Sequence, residues 1–191
     1  SAGHITVEGK EMDLSDPAGF IESGVGYIPS DRNTVGTVPD FPLYENWLLR
    51  SRNYPQKHGL TDLRAVQAQA SQAMADFDVR TTGCMERSAN LSGGNLQKFI
   101  LARELKNDPR VLICSYPTRG LDVKASWFIR SQITKAKERG TGVVLFSGDL
   151  DELFAISDRI VVLYRGKVVG ELRPEETTTQ EVILMMMGGN A

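Results

Sequence analysis

Two rhythms of apolar positions run along this chain. Residues 4–12 (HITVEGKEM) alternate polar and apolar and break at Gly9, which predicts a strand and a turn. Residues 24–32 (GVGYIPSDR) predict a short strand stopped by Pro29. The period then lengthens. Residues 43–54 (LYENWLLRSRNY) predict a short helix with Leu43, Trp47 and Leu48 on one side. Residues 61–77 predict a longer amphipathic helix whose apolar stripe is Leu63, Val66, Ala70, Met74 and Phe77. A helix over 95–105 (NLQKFILAREL) is entered through Leu91-Ser92-Gly93-Gly94 and ended by Asp108-Pro109.

Beyond it, three short apolar runs at 111–114, 142–146 and 160–164 alternate with helical stretches at roughly 123–138 and 149–156. Residues 158–172 turn at Arg165-Gly166 and predict a hairpin. Residues 177–189 (TTTQEVILMMMGG) carry a capping-box pattern, Thr178 to Glu181, and a glycine stop, with Met185 to Met187 expected to pack. Buried strands alternating with helices argue for an α/β fold with a parallel sheet covered on both faces. The helical stretch from about 43 to 107 lies inside that frame, as an inserted subdomain and not a second domain in tandem.

Composition narrows the classes. A chain of 191 residues can bury a sizeable core without staples. Its 22 basic and 24 acidic residues leave a net charge of −2 with no long basic run, so a nucleic-acid surface has no support. Apolar runs such as 143–146 are too short to cross a bilayer, and no secretory pattern opens the chain. Cys84 and Cys114 stand in unrelated contexts and read as reduced structural thiols. These features suit a cytoplasmic location, which leaves room for docking on a membrane protein.

The chemistry concentrates at residues 91–105 (LSGGNLQKFILAREL). Ser92, Gly93 and Gly94 sit where a loop becomes a helix N-terminus, whose free N–H groups favour a bulky anion. Ser-Gly-Gly alone would be an ordinary cap; the longer string is far more specific. Together with "PTRGLDV" at 117–123 and "GYIPSDR", "SGDLDEL" and "SDRIVVLYRGKVVGEL" in order, it resembles an ATP-binding cassette (ABC) nucleotide-binding domain, a P-loop-NTPase-like fold. More narrowly, it is similar to the second cassette of the tandem ATPase subunit of sugar- or nucleoside-type importers.

That resemblance implies one partial nucleotide-binding domain over 1–191. Residues 1–42 and 108–174 would form the α/β core, 43–107 the helical subdomain with the signature loop, and 175–191 a C-terminal helix. Ser92, Gly93, Gly94 and Asn95 would contact ATP held by a partner cassette, acting in trans, and Asp122 would be the D-loop residue crossing the same interface. From its own sequence Asp122 reads as the N-cap of the helix that follows, and the two roles are compatible. The implied cofactors are ATP and Mg²⁺ in the full complex, with none held tightly by this chain alone. The implied partners are a first ATP-binding cassette, a transmembrane permease that places the protein at the inner face of the plasma membrane, and indirectly a substrate-binding protein.

Departures from the family pattern matter as much. No G-x-x-x-x-G-K-[ST] loop occurs; residues 3–11 imitate one with a residue too many between Gly3 and Gly9 and with Glu11 where a hydroxyl is needed. The family pattern would place the chain's start just after the phosphate cradle, so the fold is expected to lack the P-loop strand. The strand 111–114 aligns with Walker B, but Ser115 and Tyr116 replace its Asp and Glu, and a phenol is a poor base near neutrality. Gly148 stands at the switch histidine, Ser30 where the second-cassette pattern has Glu, and Asp149, Asp151 and Glu152 read as the first turn of a helix. A degenerate cassette that lends its signature loop to a partner's site is therefore expected, inactive as an ATPase by itself. Two other classes fit less of the sequence: a non-transport ABC ATPase of DNA maintenance or translation, and a structural module with a vestigial signature. Without the P-loop strand, the strands at 142–146 and 160–164 would expose edges that either pair directly or support self-association.

Overall fold

The structure is a computed structural model that describes residues 3–50 and 54–189. The chain divides into two compact units, Ser1–Val144 and Leu145–Ala191. In the first unit a hairpin of β1 (Thr6–Val7) and β2 (Lys10–Glu11) precedes a short helix α1 (Pro17–Glu22). Asp16 caps α1 through the Ala18 N–H, and Pro17 occupies a first-turn position where no N–H is needed. The Asp-Pro pair was the available signal for this helix, which sequence patterning missed because six residues carry too little periodicity.

β3 (Val25–Ile28) pairs in parallel with β6 (Val111–Ser115), in register Val25↔Val111 to Ile28↔Cys114, and β7 (Gly142–Phe146) lies on the other side of β6. Ile28, Leu112 and Cys114 are fully buried, as expected of a strand pair covered on its faces. Between β3 and β6 come α2 (Leu43–Leu48), α3 (Leu63–Asp76) and α4 (Gly93–Leu105). A small hairpin, β4 (Gln56–Lys57) with β5 (Leu60–Thr61), was not expected; it turns at His58-Gly59, both at positive φ, and moves the start of α3 back to Leu63, capped by Asp62. Val66, Ala70 and Met74 of the α3 stripe are buried, whereas Leu63 is exposed. α5 (Val123–Glu138) follows β6 and buries Ala125, Ile129, Ile133 and Ala136.

α4 is buried all round: every residue from Leu96 to Leu105 is inside. That brings charge into the interior. Arg103 is 5 % and Glu104 2 % exposed, their side chains meeting at 3.1 Å, with Arg50 bridging the other Glu104 oxygen at 3.0 Å. Burial pushes the Arg103 guanidinium down from its ordinary value, and the Glu104 carboxylate opposes this. Glu104 also accepts from the Tyr27 N–H at 3.0 Å, and Arg50 donates to the Val25 carbonyl at 3.0 Å. Two side chains thus occupy the outer edge of β3. β7 is different: among the described residues its outer edge has no strand partner, and Val144 and Phe146 are exposed.

In the second unit, β8 (Ile160–Tyr164) and β9 (Lys167–Leu172) form the expected hairpin, with Arg165 and Gly166 both at positive φ in its two-residue turn. Direct pairing of β7 with β8, one of the two arrangements anticipated, is not found among the described residues, where the strand partner of β8 is its local hairpin neighbour β9. α6 (Leu150–Ile156) is capped by Asp149, and α7 (Thr179–Met186) opens with the full Thr178–Glu181 capping box. Ile160, Val162 and Val182 form this unit's core with Leu153, Phe154 and Met185 around them. Met185 packs as expected, but Met186 and Met187 are exposed. No helix among the described residues is long and apolar enough to cross a membrane.

Removing Glu104 would leave Arg103 buried without its carboxylate. Glu104→Ala is expected to cost about 3–5 kcal/mol, read as a lowered midpoint in urea unfolding. A cost below about 1 kcal/mol, the range of an exposed pair, would show that the cluster does not hold the helix.

Candidate functional site

The entrance to α4 is built by its own first residues. Ser92 takes an extended conformation (φ −61°, ψ 153°) and caps the helix, its Oγ accepting from the Asn95 backbone N–H at 3.5 Å and from Asn95 Nδ2 at 3.0 Å. Gly93 and Gly94 are the first two helical residues, where helix geometry supplies no partner for the N–H groups. Neither glycine has a positive φ. What they provide is room: a Cβ on Gly94 would stand 3.3 Å from the Ala125 Cβ, and one on Gly93 would lie 3.8 Å from the Arg32 guanidinium carbon. Ser92 and Gly93 are exposed.

Asn95 faces inward as well as toward Ser92. Its Oδ1 accepts from the Arg80 N–H at 3.0 Å. The loop it grips is held again one turn further on. The Lys98 ammonium, 8 % exposed as a residue, donates to the Asp78 carbonyl at 2.9 Å and to its carboxylate at 2.6 Å, and lies 4.6 Å from the Phe128 ring centre. The signature loop therefore rests on the loop that ends α3.

Asp122 is the N-cap of α5: its Oδ1 accepts from the Ala125 N–H at 2.8 Å. Its sequence-derived capping role is thus observed, and the residue is exposed. The starts of α4 and α5 lie side by side through the close approach of Gly94 to Ala125. Arg32, which the sequence reading passed over, ties both loops: its Nη2 donates to the Arg119 carbonyl at 2.7 Å and its Nη1 to the Gly93 carbonyl at 3.5 Å. Those partners lie 87 and 61 positions away, so no local pattern could reveal them. Arg119 contributes its backbone carbonyl here.

The end of β6 carries Ser115, half-buried, and Tyr116, exposed and at φ 49°. Neither offers a carboxylate. Asp149 caps α6 through the Glu152 N–H at 3.1 Å, which is the first-turn role read from sequence. Among the described residues, no group of three or more His, Cys, Asp or Glu side chains could hold a metal ion.

This α/β frame with an inserted helical segment and a glycine-opened helix defines a nucleotide-binding cassette. A family model described as ABC transporter matches residues 1–119, and the chain belongs to that family. It is 39 % identical over 191 residues to the nucleoside import ATP-binding protein NupA of Lactococcus lactis subsp. cremoris, covering 99 % of this chain and 38 % of that protein. It is 42 % identical over 193 residues to the glucose import ATP-binding protein TsgD13 of Haloferax volcanii, covering 99 % of this chain and 35 % of that one. The chain thus spans a little over a third of the length of these curated relatives. Its fold matches the ATP-binding cassette MJ0796, solved as a dimer in a post-hydrolysis state with ADP and Pi, at a TM-score of 0.73 and 20 % identity over 91 % of this chain and 74 % of that one.

The family uses ATP and Mg²⁺. The open, exposed start of α4, with two glycines and a serine hydroxyl, fits a phosphate group. Residues 115 and 116 offer Mg²⁺ no carboxylate, the protein ligand it usually takes beside phosphates and waters.

The Lys98 hydrogen bond, with its charge, holds the Asp78 carboxyl below the usual carboxylate range. Because the folded value is the lower one, the contribution to stability is complete above pH ~4 and is lost as pH falls through the depressed value. In urea unfolding, the gap between the protein and Asp78→Asn should therefore narrow between pH 5 and pH 3. A gap that stays constant would mean that the carboxylate charge is not what Lys98 grips.

Proposed function

We propose that this chain is part of the ATP-binding subunit of an ABC importer for sugars or nucleosides, and that it lends its Leu91–Asn95 signature loop to a composite ATP site on a partner cassette. The observation that carries the reading is the pairing of an exposed donor loop at Ser92–Gly94 with a β6 end that offers Ser115 and Tyr116 instead of acids. The names of the relatives support the importer class and the choice of sugars or nucleosides. The domain plan follows the family: an α/β core from 1–42 and 108–174, a helical subdomain from 43–107, and a C-terminal helix within 175–191.

In this reading the chain's own residues bind and orient. The N–H groups of Gly93 and Gly94 and the Ser92 hydroxyl would face the terminal phosphate of a nucleotide held by a partner cassette, and Asp122 would stand at the same interface. ATP, when bound with Mg²⁺, supplies the phosphoryl group whose transfer depends on positioning and electrostatic stabilisation. The phosphate cradle and the residue that polarises water would come from the partner. This cassette is then degenerate as a catalyst, the second of a tandem pair. Closure of the pair would act on a permease, with the protein peripheral to the inner face of the plasma membrane and a substrate-binding protein engaged through that permease.

Two outcomes are expected. The 191-residue chain with Mg-ATP should show no turnover above buffer. In the complete import ATPase assembled with its permease, Ser92→Ala should lower turnover by about ten-fold or more, as loss of a preorganised donor does. Unchanged transport and ATPase in that variant would favour a vestigial signature.

A further inference from the structure

We infer that Asn95 is a positioning residue that turns the Ser92 hydroxyl proton outward, so that this serine is preset as a donor to an anionic oxygen. The inference rests on the reading of Ser92–Gly94 as a donor loop and gives that loop an internal mechanism. It begins with a backbone group whose role is fixed. The Arg80 backbone N–H can only donate, and it lies 3.0 Å from Asn95 Oδ1. The carbonyl end of the Asn95 amide therefore faces Arg80, and the amide cannot be turned over without setting N–H against N–H.

The other end is then an NH₂ group, 3.0 Å from Ser92 Oγ. It has protons to give and no lone pair to offer, so Ser92 must accept. Ser92 Oγ accepts a second time, from the Asn95 backbone N–H at 3.5 Å. Both hydroxyl lone pairs are directed inward, and its single O–H is left to point away from the helix, into solvent at an exposed residue. A hydroxyl arranged in this way offers hydrogen to a phosphate oxygen and accepts nothing from a cationic or N–H ligand.

The setting is imposed by the fold and not by the ligand. The Arg80 N–H stands two residues after Asp78, whose carbonyl and carboxylate both receive the buried Lys98 ammonium. Lys98 rises from the same helix one turn beyond Asn95, so the helix grips one loop twice and reads its position out at Ser92. Asn95 accordingly has both ends of its amide committed within the chain, and its contribution passes through Ser92 instead of through direct contact with nucleotide.

Two measurements test this. In the ¹⁵N-labelled 191-residue protein, Ser92→Ala removes the acceptor of the Asn95 NH₂; its side-chain proton resonances should shift and exchange faster while the Arg80 amide stays unchanged. Side-chain signals that ignore Ser92→Ala would overturn the proposal. In the complete import ATPase with its partner cassette and permease, Asn95→Ala should lower kcat by about ten-fold with KM within roughly two-fold, the signature of an interaction made in the transition state. Asn95→Ala added to Ser92→Ala should then cost nothing more. Additive losses would overturn the proposal, since Asn95 would then act on nucleotide directly or only on stability.

Asn95→Asp provides the variant that keeps the fold. It retains an acceptor for the Arg80 N–H and suits the first turn of a helix, but it forces Ser92 to donate inward. Turnover should fall as far as in Asn95→Ala, and wild-type turnover would overturn the proposal. If Ser92→Ala leaves turnover intact while the Asn95 resonances respond as expected, the hydrogen-bond arrangement is supported and the donor-loop reading is what fails.

Discussion

Burying α4 is the constraint from which the rest of the first unit follows. A helix with ten consecutive buried residues, Leu96 to Leu105, cannot keep its charges at a wet face. Arg103 and Glu104 must therefore find partners indoors, and they find them on each other, on Arg50, on the Asn46 carbonyl at 3.1 Å and on the edge of β3. The same requirement fixes the helical insertion against the sheet. Each of those bonds has a direction, so the axial position of α4 is set by its last turn, and the place of Ser92 and Gly93 at its first turn follows from it.

A second set of contacts fixes that first turn sideways. Asn46, fully buried, sends its amide to the carbonyls of Val38 and Phe41 and to Ser88 Oγ, and so shapes the approach to the signature loop from the α2 side. Arg32 holds the loop after β6, and Asn95 and Lys98 hold the loop after α3. Polar side chains reaching distant backbone do most of this work. The apolar contacts between Gly94 and Ala125, and between Phe77 and Phe128 with ring centres 6.4 Å apart, set only how near the elements come.

Strand and helix periods, caps and stops were legible in the residues: the strands at 111–115, 142–146 and 160–164, the Arg165-Gly166 turn and the Thr178–Glu181 box lie where the pattern put them. The short α1 and the β4–β5 hairpin were missed because six residues, or two pairs, carry too little periodicity; Asp16-Pro17 and His58-Gly59 were their only local marks. Ser92–Gly94 and Asp122 were legible as a helix opening and a cap, because both depend on neighbours within three residues. Their adjacency was not, since it depends on Arg32 and on small residues 31 positions apart in α4 and α5 (Gly94 and Ala125). At Gly94 it is the space of a missing Cβ that counts, since neither glycine takes a positive φ.

The unequal margins of the three-stranded sheet carry a consequence of their own. Along β3 the outward groups of Val25 and Tyr27 are already spoken for by Arg50 and Glu104, whereas β7 has no strand partner on its outer side among the described residues. That side-chain cover keeps an incoming strand off β3, so the Glu104 carboxylate that steadies the signature helix is also an edge guard for this strand.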